Sequence, residues 1–163
     1  AKNRFYSNTL YITLYKNYKN IIKLLVKKSA DIKTKSKKYS NALYIALLKN
    51  YKNIIKLLVK KKADIKTKSK KYSNALYAAL LKNYKNIIKL LIKKSADIKA
   101  ESRYYGNALC TALYGGYKDI TELLIKADAN IKAESRCYGN ALQAALAEGY
   151  KDIIELLVKE GAT

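Results

Sequence analysis

Residues 72–104 read YSNALYAALLKNYKNIIKLLIKKSADIKAESRY. The same 33-residue register returns as Tyr6–Lys38, Tyr39–Lys71 and Tyr105–Cys137, and in shortened form as Tyr138–Thr163. Four full units and most of a fifth leave nothing over for a second kind of domain, so residues 1–163 read as one array. A fixed period of this length is the mark of a stacked solenoid, in which no unit buries its apolar face alone. Function is therefore expected on a surface rather than in a pocket.

Within the unit, Leu76, Ala79 and Leu80 stand at i, i+3 and i+4, which predicts a short first helix. Asn74 suits its N-cap, because a side-chain oxygen there accepts from the free amides of the first turn, and Asn8, Asn41, Asn107 and Asn140 hold the same place. The helix is expected to stop at Asn83, whose counterparts are Asn17, Asn50, Gly116 and Gly149. Only Asn and Gly enter the left-handed region cheaply, so this alternation marks a helix end. A second helix follows over KNIIKLLIKK, with Ile87, Ile88, Leu90, Leu91 and Ile92 on a wide apolar face. Two helices joined by two or three residues form a hairpin, and the polar stretch SADIKAESRYYG reads as a protruding loop to the next one.

These residues carry a resemblance to the ankyrin repeat. In the fourth unit, YGNALCTALYGGYKDITELLIKADANIKA is similar to that family's pattern in its Gly before the second helix, its paired Leu123 and Leu124, and the Ala-Asn-Ile run after them. The fifth unit, YGNALQAALAEGYKDIIELLVKEGA, is similar to the ankyrin arrays of filamentous fungi. The resemblance implies an all-α solenoid of about five helix-turn-helix units with β-hairpin-like connecting loops. It also implies a non-catalytic scaffold for protein–protein interaction. The chain departs from the family's T-P-L-H, which becomes Asn-Ala-Leu followed by Tyr, Cys or Gln in units two to five. Tyr replaces the family's residues at the tips (Tyr6, Tyr39, Tyr72, Tyr105, Tyr138) and after the interhelical turn (Tyr18, Tyr51, Tyr84, Tyr117, Tyr150). Such ladders suit packing between neighbouring units; base stacking is the alternative.

Composition narrows the chemistry. There is no His, Met, Trp or Pro, which removes histidine acid–base catalysis and histidine-containing zinc sites and nucleophile arrangements, so neither an enzyme nor a cofactor is expected. Cys110 and Cys137 occupy different points of the unit, and a reducing intracellular compartment, cytoplasmic or nuclear, is the plainer reading of them. No uninterrupted apolar run is long enough to span a membrane, and AKNRFYSNTL contains no secretory h-region.

The net charge of +22 is unevenly spread. Residues 1–100 hold 27 Lys plus Arg against Asp31, Asp64 and Asp97, a balance of +24, whereas residues 101–163 hold 7 against 9, a balance of −2. Selection for an anionic partner and drift toward Lys, Asn, Ile and Tyr both account for the lysines.

By the resemblance, partners meet the hairpin tips and the outward side of the first helices. The tips present Arg4, Lys37, Lys70, Arg103 and Arg136, with Phe5, Lys38, Lys71, Tyr104 and Cys137 beside them. The first helices offer Tyr15, Leu48, Leu81 and Tyr114, followed by Lys16, Lys49, Lys82 and Gly115. This apolar stripe with basic walls suits an acidic protein partner, with nucleic acid or another polyanion as the alternative. The second helices carry further lysines, such as Lys19, Lys23 and Lys27, away from that surface. Phe5 and Tyr6 at one end and Ile153, Leu157 and Val158 at the other keep the internal pattern, which predicts either a fragment of a longer array or end-to-end self-association.

Overall fold

The computed structural model describes residues 2–28, 32, 41–67, 74–101, 106–136 and 139–163, with side chains from residue 9 onward. Ten helices run through them: α1 (Lys2–Tyr15), α2 (Lys19–Lys27), α3 (Ala42–Leu48), α4 (Lys52–Lys60), α5 (Ala75–Leu81), α6 (Lys85–Lys93), α7 (Ala108–Tyr114), α8 (Lys118–Lys126), α9 (Ala141–Ala147) and α10 (Lys151–Lys159). The chain forms two compact units, Ala1–Ala78 and Ala79–Thr163, and the division falls inside α5. In the first unit α1 pairs with α2 and α3 with α4, while α1 lies on α3 and α2 on α4. In the second, α7 pairs with α8 and α9 with α10, while α7 lies on α9 and α8 on both α6 and α10.

The short first helices α3, α5 and α7 are buried almost all round. Every residue from Ala42 to Leu47 is buried, and so is every residue from Ala108 to Leu113. Seven residues are too few to be stable in isolation, so these helices exist because they are enclosed on several sides. The second helices bury one face only. Ile54, Ile55, Leu58 and Val59 are buried in α4 while Lys52, Lys56 and Lys60 face water. In α6, Ile87, Ile88 and Leu91 are buried, but Leu90 and Ile92 are half-buried, so the apolar face is narrower than the sequence predicts.

The capping asparagines have two tasks. The Oδ1 atoms of Asn41, Asn74, Asn107 and Asn140 accept from the amides of Tyr44, Tyr77, Cys110 and Gln143 at 2.9–3.0 Å. The Nδ2 groups of Asn41, Asn107 and Asn140 donate to the carbonyls of Asp64, Asn130 and Thr163, each just past the second helix of the same repeat. A residue that must both accept and donate cannot be Asp, which has only acceptors, and this explains the recurrence of Asn. Asn8 is a correction. It lies inside α1, which runs from Lys2 to Tyr15, instead of capping it. Arg4 therefore stands on a helix rather than at a tip.

The turns between paired helices fall where predicted, with φ of 63°, 58° and 52° at Asn17, Asn50 and Asn83, and of 66° and 68° at Gly116 and Gly149. Of the hairpin-like connections, the described residues show an antiparallel bridge of Ser135 with Gly139, between the fourth and fifth repeats. Among the described residues, no helix is long and apolar enough to cross a membrane.

Candidate partner-binding surface

In α3 and α7 the first helix is enclosed until its last residue, where the chain emerges toward the left-handed turn, whereas Ile12 of α1 and Leu146 of α9 are exposed. At the last helical position Tyr15, Leu48 and Tyr114 are exposed, at 53%, 39% and 50%, and Leu81 is half-buried. The lysines that follow, Lys16, Lys49 and Lys82, are exposed. In the first unit Lys49 Nζ sits 4.9 Å from the centroid of the Tyr15 ring, a cation–π contact between neighbouring repeats. Tyr15 and Lys49 are thus brought together. Leu81, Lys82 and Tyr114 take the same positions in the second unit.

Arg136 is exposed beside the Ser135–Gly139 bridge. Lys37, Lys38, Lys70, Lys71, Arg103 and Tyr104 lie outside the described residues, as do Cys137 and the side chains of Arg4 and Phe5. Of the tip ladder of tyrosines, Tyr39, Tyr72, Tyr105 and Tyr138 lie outside them too, and Tyr6 stands within α1. The other ladder is half-buried at Tyr51, Tyr84, Tyr117 and Tyr150 and exposed at Tyr18, so it packs between repeats only in part. Burial pushes the Tyr51 and Tyr84 hydroxyls above their ordinary pKa. Lys118 Nζ lies 5.4 Å from the Tyr150 ring centroid. Cys110 is buried at α7 and burial raises its thiol, which fits a packing residue rather than a nucleophile.

The second helices hold a feature that reading one repeat at a time misses. Asp119, at the start of α8, reaches Lys85 Nζ at 3.6 Å and Lys89 Nζ at 3.1 Å, both on the preceding second helix α6. Burial raises its carboxyl, but the hydrogen bond from Lys89 and the charges of Lys85 and Lys89 outweigh that and hold it below its ordinary range. Between α2 and α4 lies a cleft of about 390 Å³ lined by Lys19, Lys23, Lys52, Tyr51 and Asn53 among others. Aligning the copies on this position supplies the missing signal, since it reads Asn20, Asn53, Asn86, Asp119 and Asp152.

Paired helices turned by left-handed Asn or Gly, the central first helices enclosed and the second helices half-exposed, define a helical repeat protein. A family model described as ankyrin repeats in three copies matches residues 9–102 and again residues 76–163. The chain belongs to the ankyrin-repeat family. A search of curated proteins found no match to it. Ankyrin repeats generally mediate protein–protein interaction and are typically non-catalytic scaffolds.

Proposed function

We propose that this chain acts by binding alone, as a scaffold that takes an acidic protein partner on the outward ends of its first helices and on its hairpin tips. The observation that carries this reading is the exposed pairing of apolar and cationic groups at Tyr15, Lys16, Leu48 and Lys49, fixed by the Lys49–Tyr15 contact. Apolar surface gives the complex its stability, while Lys supplies long-range attraction without geometric selectivity. The test is a pull-down from the native cell at low and high salt, with wild type beside the double variant Lys16→Glu, Lys49→Glu. Loss of the same partner with the variant and at high salt supports the proposal; undiminished capture by the variant overturns it.

A second reading, a polyanion or nucleic-acid binder, draws on the exposed lysines of α2, α4 and α6. It requires log affinity for nucleic acid to fall steeply with log salt, with no preference among sequences. Self-association draws on the apolar flanks at Ile12, Ile21 and Leu24 and at Leu146 and Val158, all of them exposed. Light scattering over a range of concentrations separates it from a monomer.

A further inference from the structure

The second helices repeat one another closely, and the chain itself shows what their lysines do when a carboxylate is within reach. On α6, Lys85 and Lys89 stand at i and i+4 and converge on Asp119 of the next second helix. On α2 the matching lysines are Lys19 and Lys23, and the residue that α4 brings to them is Asn53, in the same cleft. Asn and Asp have nearly the same shape, so the arrangement is retained while the charge is removed, and Lys19 and Lys23 face a neutral side chain across the cleft. Lys52 adds a third ammonium, and among the described residues no carboxylate lines the cleft. The first turn of α4 also opens into it, at Tyr51, Lys52 and Asn53, and Tyr51 gives that helix no side-chain cap. A nine-residue helix with an uncapped N-terminus adds partial positive charge to that of the lysines.

We infer that the α2–α4 cleft is a carboxylate site and takes an Asp or Glu side chain from an acidic segment of a partner protein beside Asn53, with Lys19 and Lys23 holding it as Lys85 and Lys89 hold Asp119. The inference rests on the acidic-partner reading but puts the contact on the second helices, apart from the first-helix ends. A peptide carboxylate is favoured over a phosphate because a carboxylate is the group these lysines hold elsewhere in the chain. Tyr51 and Ile54 also give the cleft apolar wall for a peptide to lie against.

The experiment is a titration of the full chain with a labelled oligo-glutamate peptide at low salt, followed by affinity and by amide shifts. Asn53→Asp builds in the carboxylate and is expected to weaken binding about tenfold and remove the shifts at Lys19, Lys23 and Asn53; the tenfold corresponds to about 1.4 kcal/mol. Asp119→Asn empties the α6–α8 counterpart and is expected to create new shifts at Lys85 and Lys89. Wild-type affinity in Asn53→Asp, or no new shifts in Asp119→Asn, would overturn the inference. Binding lost in Lys16→Glu, Lys49→Glu but kept in Asn53→Asp leaves the first-helix reading standing and removes this one. The opposite pattern removes the first-helix reading and keeps the cleft. Peptide that fails to bind wild type removes both, and inorganic phosphate that displaces the peptide at equal concentration assigns the cleft to phosphate instead.

Discussion

At the scale of the residue, the left-handed positions divide into those a sequence announces and those it hides. After the first helices the place is filled by Asn or Gly in all five copies, and its role is visible without a structure. After the second helices the same conformation is held by Lys62, Ser95, Asp128 and Gly161, with φ of 59°, 57°, 63° and 88°. Here three unremarkable side chains conceal a position whose need shows only in the last copy. The geometry at Lys62 is a Schellman turn, with its amide on the Val59 carbonyl at 3.1 Å and the Ala63 amide on the Leu58 carbonyl at 2.9 Å. A Cβ in this region costs about 1–2 kcal/mol, and glycine's extra freedom in the unfolded chain takes back about 0.4–1. Lys62→Gly should therefore stabilise the protein by roughly 0.5–1 kcal/mol, since the first effect exceeds the second. Urea unfolding checks this, and an unchanged or lower midpoint would show that the turn carries no strain.

At the scale of the element, the second helices differ in how they treat their own lysines. Like charges at i and i+4 cost about 0.2–0.5 kcal/mol per pair. Asp119 offsets the Lys85–Lys89 pair of α6 from the neighbouring helix, and Lys99 meets Asp128 at 2.6 Å in the same unit. The Asp119 carboxyl is held below its ordinary range, so its pairing contributes stability above the unfolded value of about 3.9 and loses it as pH falls through the lower folded value. Its side chain is 44% exposed, so solvent keeps the effect small. Melting temperature measured from neutral pH into acid should fall more for wild type than for Asp119→Asn; parallel curves would deny the pairing any weight. This arrangement also marks where the sequence stopped being legible. Repeat length, the ends of the first helices and every cap but Asn8 were readable because each is decided within a few residues, as at Asn74 and Asn83. Which lysine meets which acid is decided by the register between successive helices, and that register is a property of packing. For the same reason Tyr15 and Leu48 were identifiable as helix-end residues, but the Lys49–Tyr15 contact was not.

At the scale of the whole molecule, the lysines are a charge problem before they are a binding site. The chain carries 34 Lys plus Arg against 12 Asp plus Glu, and the excess lies in residues 1–100. In α2, α4 and α6 the lysines stand at the first, fifth and ninth residues, which places two like-charged i, i+4 pairs on each helix. The pairs on the three helices together cost roughly 1–3 kcal/mol of stability at low ionic strength, less what Asp119 returns to α6. In α8 and α10 a glutamate takes the middle place, giving Lys118, Glu122 and Lys126, and Lys151, Glu155 and Lys159, so the same spacing becomes attractive. Salt shortens the reach of the repulsion from about 30 Å at 0.01 M to about 10 Å at 0.1 M. Added salt should therefore raise the melting temperature over that range. Hydrogen exchange followed helix by helix should place the gain in α2 and α4 and show little change in α10. A polyanion too large to enter the α2–α4 cleft should act in the same direction by neutralising the exposed lysines. A melting temperature that stays flat or falls between 0.01 and 0.1 M would mean that the lysines are spaced widely enough in solution for their repulsion to leave folding unaffected.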